Sequence, residues 1–192
     1  MRTQIRLLMA LVLIALTSFS ALAQTKFSLE IDPATFAFGG YSLHLRLQPG
    51  NSEHLLLGAG TYAMNLPDPM VNLNPENKYE GWDVRISKGY GFFGEYHLAE
   101  VNKGLFIGTQ LGIQKFRVEK DDALGDAEFT NSLLMGYLGY SIKPFNNALY
   151  IKPWAGIGYT AKLSGTTSLS SDQYDISPIT MFATLHVGYT FK

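Results

Sequence analysis

The chain has 192 residues, 15 basic and 16 acidic, with a formal net charge of −1, 46% hydrophobic residues and no cysteine. The near-neutral balance gives no electrostatic reason to expect nucleic acid as a partner. The missing cysteines exclude disulfides, Cys-ligated metals and a lipid-anchored lipoprotein.

In chain order, residues 1–23 read as a signal peptide. Arg2 and Arg6 form a basic start, residues 7–16 an apolar run, and Ala21-Leu22-Ala23 a small-x-small cleavage site before Gln24. The apolar run is about ten residues, short of the roughly 20 of a spanning helix. Export without cysteine fits a bacterial envelope protein better than a disulfide scaffold. Residues 24–192 then suit one domain.

Eight period-2 segments follow. Phe27, Leu29 and Ile31 alternate with Ser28, Glu30 and Asp32. Tyr41, Leu43, Leu45 and Leu47 alternate with Ser42, His44, Arg46 and Gln48. The third opposes Leu55, Leu57 and Ala59 to Gly58, Gly60 and Tyr62. The fourth opposes Trp82, Val84, Ile86, Lys88, Tyr90 and Phe92 to Asp83, Arg85, Ser87, Gly89, Gly91 and Phe93, and continues through Glu95 and His97. The fifth opposes Leu105, Ile107, Leu111 and Ile113 to Gly108, Gln110, Gly112 and Gln114. Segments around residues 133–142 and 149–160 come next. The last runs from Ile179 to Phe191 with Met181, Leu185, Val187 and Tyr189 on its apolar side.

Connections at 48–53, 99–104 and 144–147 are short and rich in turn residues, whereas 65–80, 119–128 and 161–178 are longer and polar. Asp32-Pro33-Ala34 is short where a long loop is due. No helix-length apolar run occurs in the mature chain, so a membrane protein of this composition must be a closed barrel. The expected fold is all-β: a transmembrane antiparallel up-and-down β-barrel of eight strands. The glycine-dotted face (Gly58, Gly60, Gly89, Gly91, Gly108, Gly112) suits a narrow interior, which turns the aliphatic stripes toward lipid.

These segments, the Ala21-Leu22-Ala23 leader end and the terminal Gly188-Tyr189-Thr190-Phe191 resemble the small outer-membrane barrels of the OmpA/OmpX/OmpW type. The resemblance implies residence in the cell outer membrane and recognition of the last strand by the barrel-assembly machinery. It implies outer-membrane lipids and lipopolysaccharide as further partners, and it transfers no functional residue.

Within that frame, His44, Arg46, Asp83, Arg85, Glu95 and His97 are expected to form a lumen polar network, since charges in a packed interior must pair. Lys88, Lys115 and Arg117 fall where the outer interface should lie and are candidates for lipid phosphate. Ser42 and His44 share a face, a spacing that suits a nucleophile and its base, but no third group orients the histidine. His44, His54, His97 and His186 show no metal-ligand spacing, so neither metal nor cofactor is expected. Pro153 lacks a ladder donor and marks a bulge, a frayed end or a lateral opening. The expected role is structural or surface-interacting, without catalysis. Its rivals are a narrow channel for small hydrophobic solutes, a lipid-modifying barrel enzyme, and a soluble periplasmic barrel with an apolar ligand.

Overall fold

A computed structural model of the chain describes residues 25–145 and 148–191; the signal peptide expected over residues 1–23 lies outside them. Its strands are β1 (Lys26–Ile31), β2 (Tyr41–Gln48), β3 (Leu55–Asn65), β4 (Trp82–His97), β5 (Gly104–Lys120), β6 (Ala127–Ser141), β7 (Leu149–Gly165), β8 (Ser168–Leu169), β9 (Asp172–Gln173) and β10 (Ile179–Phe191). All but β8 and β9, which form a separate hairpin, close into one antiparallel barrel of eight strands. The last strand pairs with the first from Phe27↔Phe191 to Ile31↔Val187, which removes the free edges a sheet would otherwise expose.

The outward face is aliphatic. Leu43, Leu45, Phe92, Ile107, Leu111, Leu138, Ile157 and Met181 are each 50–71% exposed. An apolar surface that circles a whole barrel needs a non-aqueous neighbour. The inward face carries the buried polar residues, among them Glu30, Arg46, Glu95 and Lys152. Period 2 along each strand produces both faces at once.

The alternation fails at one consequential place. A bulge in β4 between Ile86 and Lys88 reverses the facing of everything above it. Val84 and Ile86 turn inward and are buried, and Asp83 is exposed on the outside. Arg85 also leaves the lumen: its Nη1 donates to Asn65 Oδ1 at 2.5 Å and to the Gly39 carbonyl at 3.2 Å. Asp83 and Arg85 therefore do not belong to the lumen network. One extra residue moves each of them to the opposite face.

Strands at the loop end are longer than expected: β5 runs to Lys120 and β6 starts at Ala127, so only residues 121–126 connect them. The buried apolar residues Met64, Ile86, Phe116, Val118 and Phe129 form a core there, with Val71, Leu169 and Tyr174 from the loops. Asn77 locks two of those loops together. Its Nδ2 donates to the Asp175 carbonyl at 2.8 Å, and its Oδ1 accepts from Asp175 N–H at 2.9 Å. Tyr174 OH donates to the Val71 carbonyl at 3.2 Å. Lys120 at the top of β5 bridges Glu80 at 3.3 Å and Asp172 at 3.0 Å.

The short Asp32–Pro33 connection is a helix, α1 (Pro33–Ala37), started by Pro33 and capped by Asp32 Oδ1, which accepts from Ala34 N–H at 2.9 Å. Proline cannot donate to a ladder, and β1 stops just before it. β10 consequently meets β1 only over residues 187–191. Among the described residues no strand pairs with that flank of β10 over residues 179–186. The helix α1 stands in this gap, against β10 on one side and β2 and β3 on the other.

Pro153 does not open the wall. The β6–β7 ladder runs to Gly139↔Trp154, skips the proline, and resumes at Ile142↔Ile151 in the same register. The break in the strand wall is at α1.

Candidate functional site

The lumen is divided into a charged floor near the short turns and an apolar chamber above it. Four charges make the floor, each from a different strand: Glu30 on β1, Arg46 on β2, Glu95 on β4 and Lys152 on β7. Arg46 Nε donates to Glu30 Oε2 at 2.7 Å, and Arg46 Nη1 lies 3.5 Å from Glu95 Oε1. Lys152 Nζ is 2.7 Å from Glu30 Oε1 and 2.7 Å from Glu95 Oε2. All four are essentially inaccessible to solvent. Two carboxylates against two cations leave the group neutral, the condition under which burial of charge is tolerated.

The remaining lone pairs are also used. Tyr150 OH donates to Glu30 Oε1 at 2.9 Å and Tyr137 OH to Glu95 Oε1 at 3.1 Å. His186 Nδ1 is 3.1 Å from Glu30 Oε2, and His97 Nε2 is 3.3 Å from Glu95 Oε2. The Arg46 guanidinium lies over the Phe93 ring at 4.3 Å, and Lys152 Nζ over Phe106 at 5.2 Å.

Glycines make room for these side chains. A Cβ at Gly58 would strike Arg46, one at Gly60 would strike His44, and one at Gly188 would strike Tyr150. Each of these three side chains lies across a glycine on the neighbouring strand, which is how a narrow barrel fits large groups on its axis.

Above the floor is a cavity of about 110 Å³. On the same measure a water needs about 10–15 Å³, so the space admits several waters or a stretch of hydrocarbon. Met64, Ile86, Phe116, Leu133, Met135 and Phe182 form much of its wall, and Leu66, Met70 and Ile176 lie toward the loops. Its polar lining includes His44, Tyr62, Gln110, Gln114 and Asn131. Gln110 and Gln114 both donate to Tyr62 OH, at 3.3 and 2.9 Å.

Of the residues expected in the lumen network, His44, Arg46, Glu95 and His97 lie buried in the lumen, and Asp83 and Arg85 do not. The two residues that complete the floor, Glu30 and Lys152, were missed. Both share the lumen-facing parity of Arg46 and Glu95 and sit a few residues from the turn end of their strands. Parity combined with height along each strand is the signal that could have found them.

Lys115 pairs with Glu128 at 2.6 Å. Arg117 pairs with Glu119 at 2.9 Å and Asp126 at 3.2 Å. Protein carboxylates thus occupy both cations, whereas Lys88 is exposed and has no ion pair among the described residues. The Ser42 hydroxyl is turned away from His44. It accepts from Asp32 N–H at 2.6 Å and lies 3.4 Å from the Asp32 carbonyl, so nucleophile and base are not joined.

Topology brings Glu30, His44 and His186 together, with one ligand-type atom of each inside 4.8 Å, a juxtaposition invisible in their spacing. Glu30 is already bound to Arg46 and Lys152, which oppose a further cation at its carboxylate.

The ring of strands, the apolar outside and the polar packed inside are together the architecture of a small membrane-spanning β-barrel. Similar solved structures are the N-terminal β-barrel domain of Pseudomonas aeruginosa OprF, a major outer membrane protein from Thermus thermophilus, and Neisserial surface protein A. The first is 15% identical, with 87% of this chain and 96% of that one covered at a TM-score of 0.47. The second is 14% identical, covering 87% and 99% at 0.46. The third is 11% identical, covering 88% and 94% at 0.42. No protein-family model matches the chain. No curated protein matches it either.

Proposed function

We propose that the protein is an integral outer-membrane barrel with a structural or surface-interaction role, without catalysis and without an open pore. The aliphatic exterior supports its place in lipid, and the loops interlocked by Asn77 and Tyr174 supply a built surface at one end. The observation that carries the non-conducting reading is the neutral tetrad Glu30–Arg46–Glu95–Lys152, which spans the lumen from β1 to β4 and β7. An ion crossing this level would have to break buried pairs that hold each other.

Reconstitution in planar bilayers tests the reading. The intact protein is expected to give no stable conductance steps, whereas Arg46→Ala with Glu95→Ala, which deletes the centre of the floor, gives small ones. Steady conductance by the unaltered barrel would contradict it.

A further inference from the structure

The floor bounds the chamber below, the loop residues Leu66, Met70, Leu73 and Tyr174 line its top, and its side wall changes character at α1. Asp32, Thr35 and Ser42 on one side of the gap and Ser177, Thr180 and Phe182 on the other all line the cavity. Among the described residues no strand lies behind α1, and Phe36 and Phe38 at the helix are 50% and 40% exposed on the outside. Asp32, which caps the helix, is latched to β10: Thr184 Oγ1 donates to Asp32 Oδ1 at 2.7 Å. A five-residue helix with this latch is a thinner barrier than a laddered strand, because it shares few backbone bonds with its neighbours.

At the bottom of the chamber His44 is buried, lines the cavity, and has no hydrogen-bond partner at either ring nitrogen among the described residues. Its contacts are with rings: Phe93 at 5.0 Å, His186 at 4.9 Å and Tyr62 at 6.4 Å. Buried polar atoms are normally satisfied, and an unpaired imidazole at the end of an apolar pocket is a positioned polar anchor. A neutral imidazole offers one donor and one acceptor, which matches a hydroxyl. An anion is disfavoured there, since the Glu30 carboxylate comes within 4.8 Å of the His44 ligand atom and both nearby cations are already paired.

We propose that the chamber binds the head end of one uncharged single-chain lipid that enters from the membrane past α1, its hydroxyl at His44, a stretch of its chain against Met64, Phe116, Leu133 and Met135, and the rest of the chain running back past α1 into the membrane. This site rests on the membrane-barrel reading above.

The test uses Trp154, which lines the chamber, in a Trp82→Phe background that makes it the single tryptophan. The barrel is placed in phospholipid nanodiscs and titrated with dibromostearyl alcohol. Saturable quenching at one alcohol per barrel is expected. Thr180→Phe, which fills the chamber, should abolish the saturable phase, and His44→Leu should weaken it about tenfold. Dibromostearate at about pH 9, where its head is ionised, should bind at least tenfold more weakly than the alcohol. Because the chain has no cysteine, Asp32→Cys with Thr184→Cys can lock the latch. Oxidation of that pair should slow association at least tenfold and reduction should restore it.

Quenching that stays proportional to probe and ignores Thr180→Phe overturns the site. Stearate binding as tightly as the alcohol overturns the neutral head, and unchanged association after oxidation overturns the lateral route. Every variant is checked for heat-modifiable gel mobility. A barrel that keeps this mobility without saturable quenching loses only the ligand site, whereas its loss in the parent protein removes the membrane-barrel reading as well.

Discussion

Replacing Lys152 by methionine removes the one ammonium that joins both floor carboxylates. Its Nζ lies 2.7 Å from Glu30 Oε1 and 2.7 Å from Glu95 Oε2. Hydrogen bonds to charged groups contribute about 1.5–3 kcal/mol each, so losing one to each carboxylate costs about 3–6 kcal/mol. Removal of one partner from a buried pair costs about 3–5 kcal/mol by itself, and the two routes agree. Arg46 would remain as the single cation for two buried carboxylates. Adding Glu95→Gln to Lys152→Met restores neutrality, with Glu30–Arg46 left as one pair, and about 1–3 kcal/mol should be recovered as coupling. Urea titration in detergent micelles, read as the fraction migrating in the compact form, measures both quantities. A cost below about 1 kcal/mol for Lys152→Met, or a double variant no better than the sum of the singles, would refute the floor as a mutually dependent group.

Three further outcomes are expected. Gly60→Leu should drive a side chain into the His44 ring across β2 and destabilise the barrel by about 1–3 kcal/mol in the same titration. Pro153→Val should supply the ladder donor missing opposite Tyr140, raise stability by about 0.5–1.5 kcal/mol, and slow amide exchange at neighbouring β6 positions. Burial pushes the Tyr174 phenol up to about 12, against about 10 in an unfolded segment. Its contribution is therefore whole below about pH 10 and is lost as pH rises through 12, because the unfolded segment binds fewer protons in that window. Amide exchange over residues 166–178 should accelerate there, and Tyr174→Phe should remove the dependence.

How far the sequence could be read depended on the range of the signal. Alternation is local, so β2, β5 and β10 were legible with their facing, and the barrel followed from counting them. The bulge at residues 86–88 was not legible. Lys88 continued an outward stripe and Asp83 an inward one, and only the partner strand reveals the extra residue that separates them. The upper lengths of β5 to β7 were hidden because charged, exposed ladder above an apolar belt has the composition of a loop. His44, Arg46 and Glu95 could be placed in the lumen by parity. Assigning Lys152 to the same floor required knowing that β7 and β4 face each other across the axis. The chamber was hidden for a related reason: Ile86 lines it only because the bulge turns it inward, and Phe116 and Phe129, which also line it, lie beyond the segments that alternation marked out. The Asp32-Pro33 anomaly was visible as a short connection, while its consequence, a gap beside β10, appears only once the ring closes.

Nitroxide labels on cysteines introduced singly from residue 105 to residue 114 of β5 test the orientation of the two faces most directly. Labels at Leu105, Ile107, Leu111 and Ile113 should collide with oxygen and not with a water-soluble nickel chelate, as positions against acyl chains do, while Gln110 and Gln114 should be shielded from both. Chelate-accessible labels at positions 107 and 111 would mean that water bathes the aliphatic face, and the barrel would not be a membrane protein.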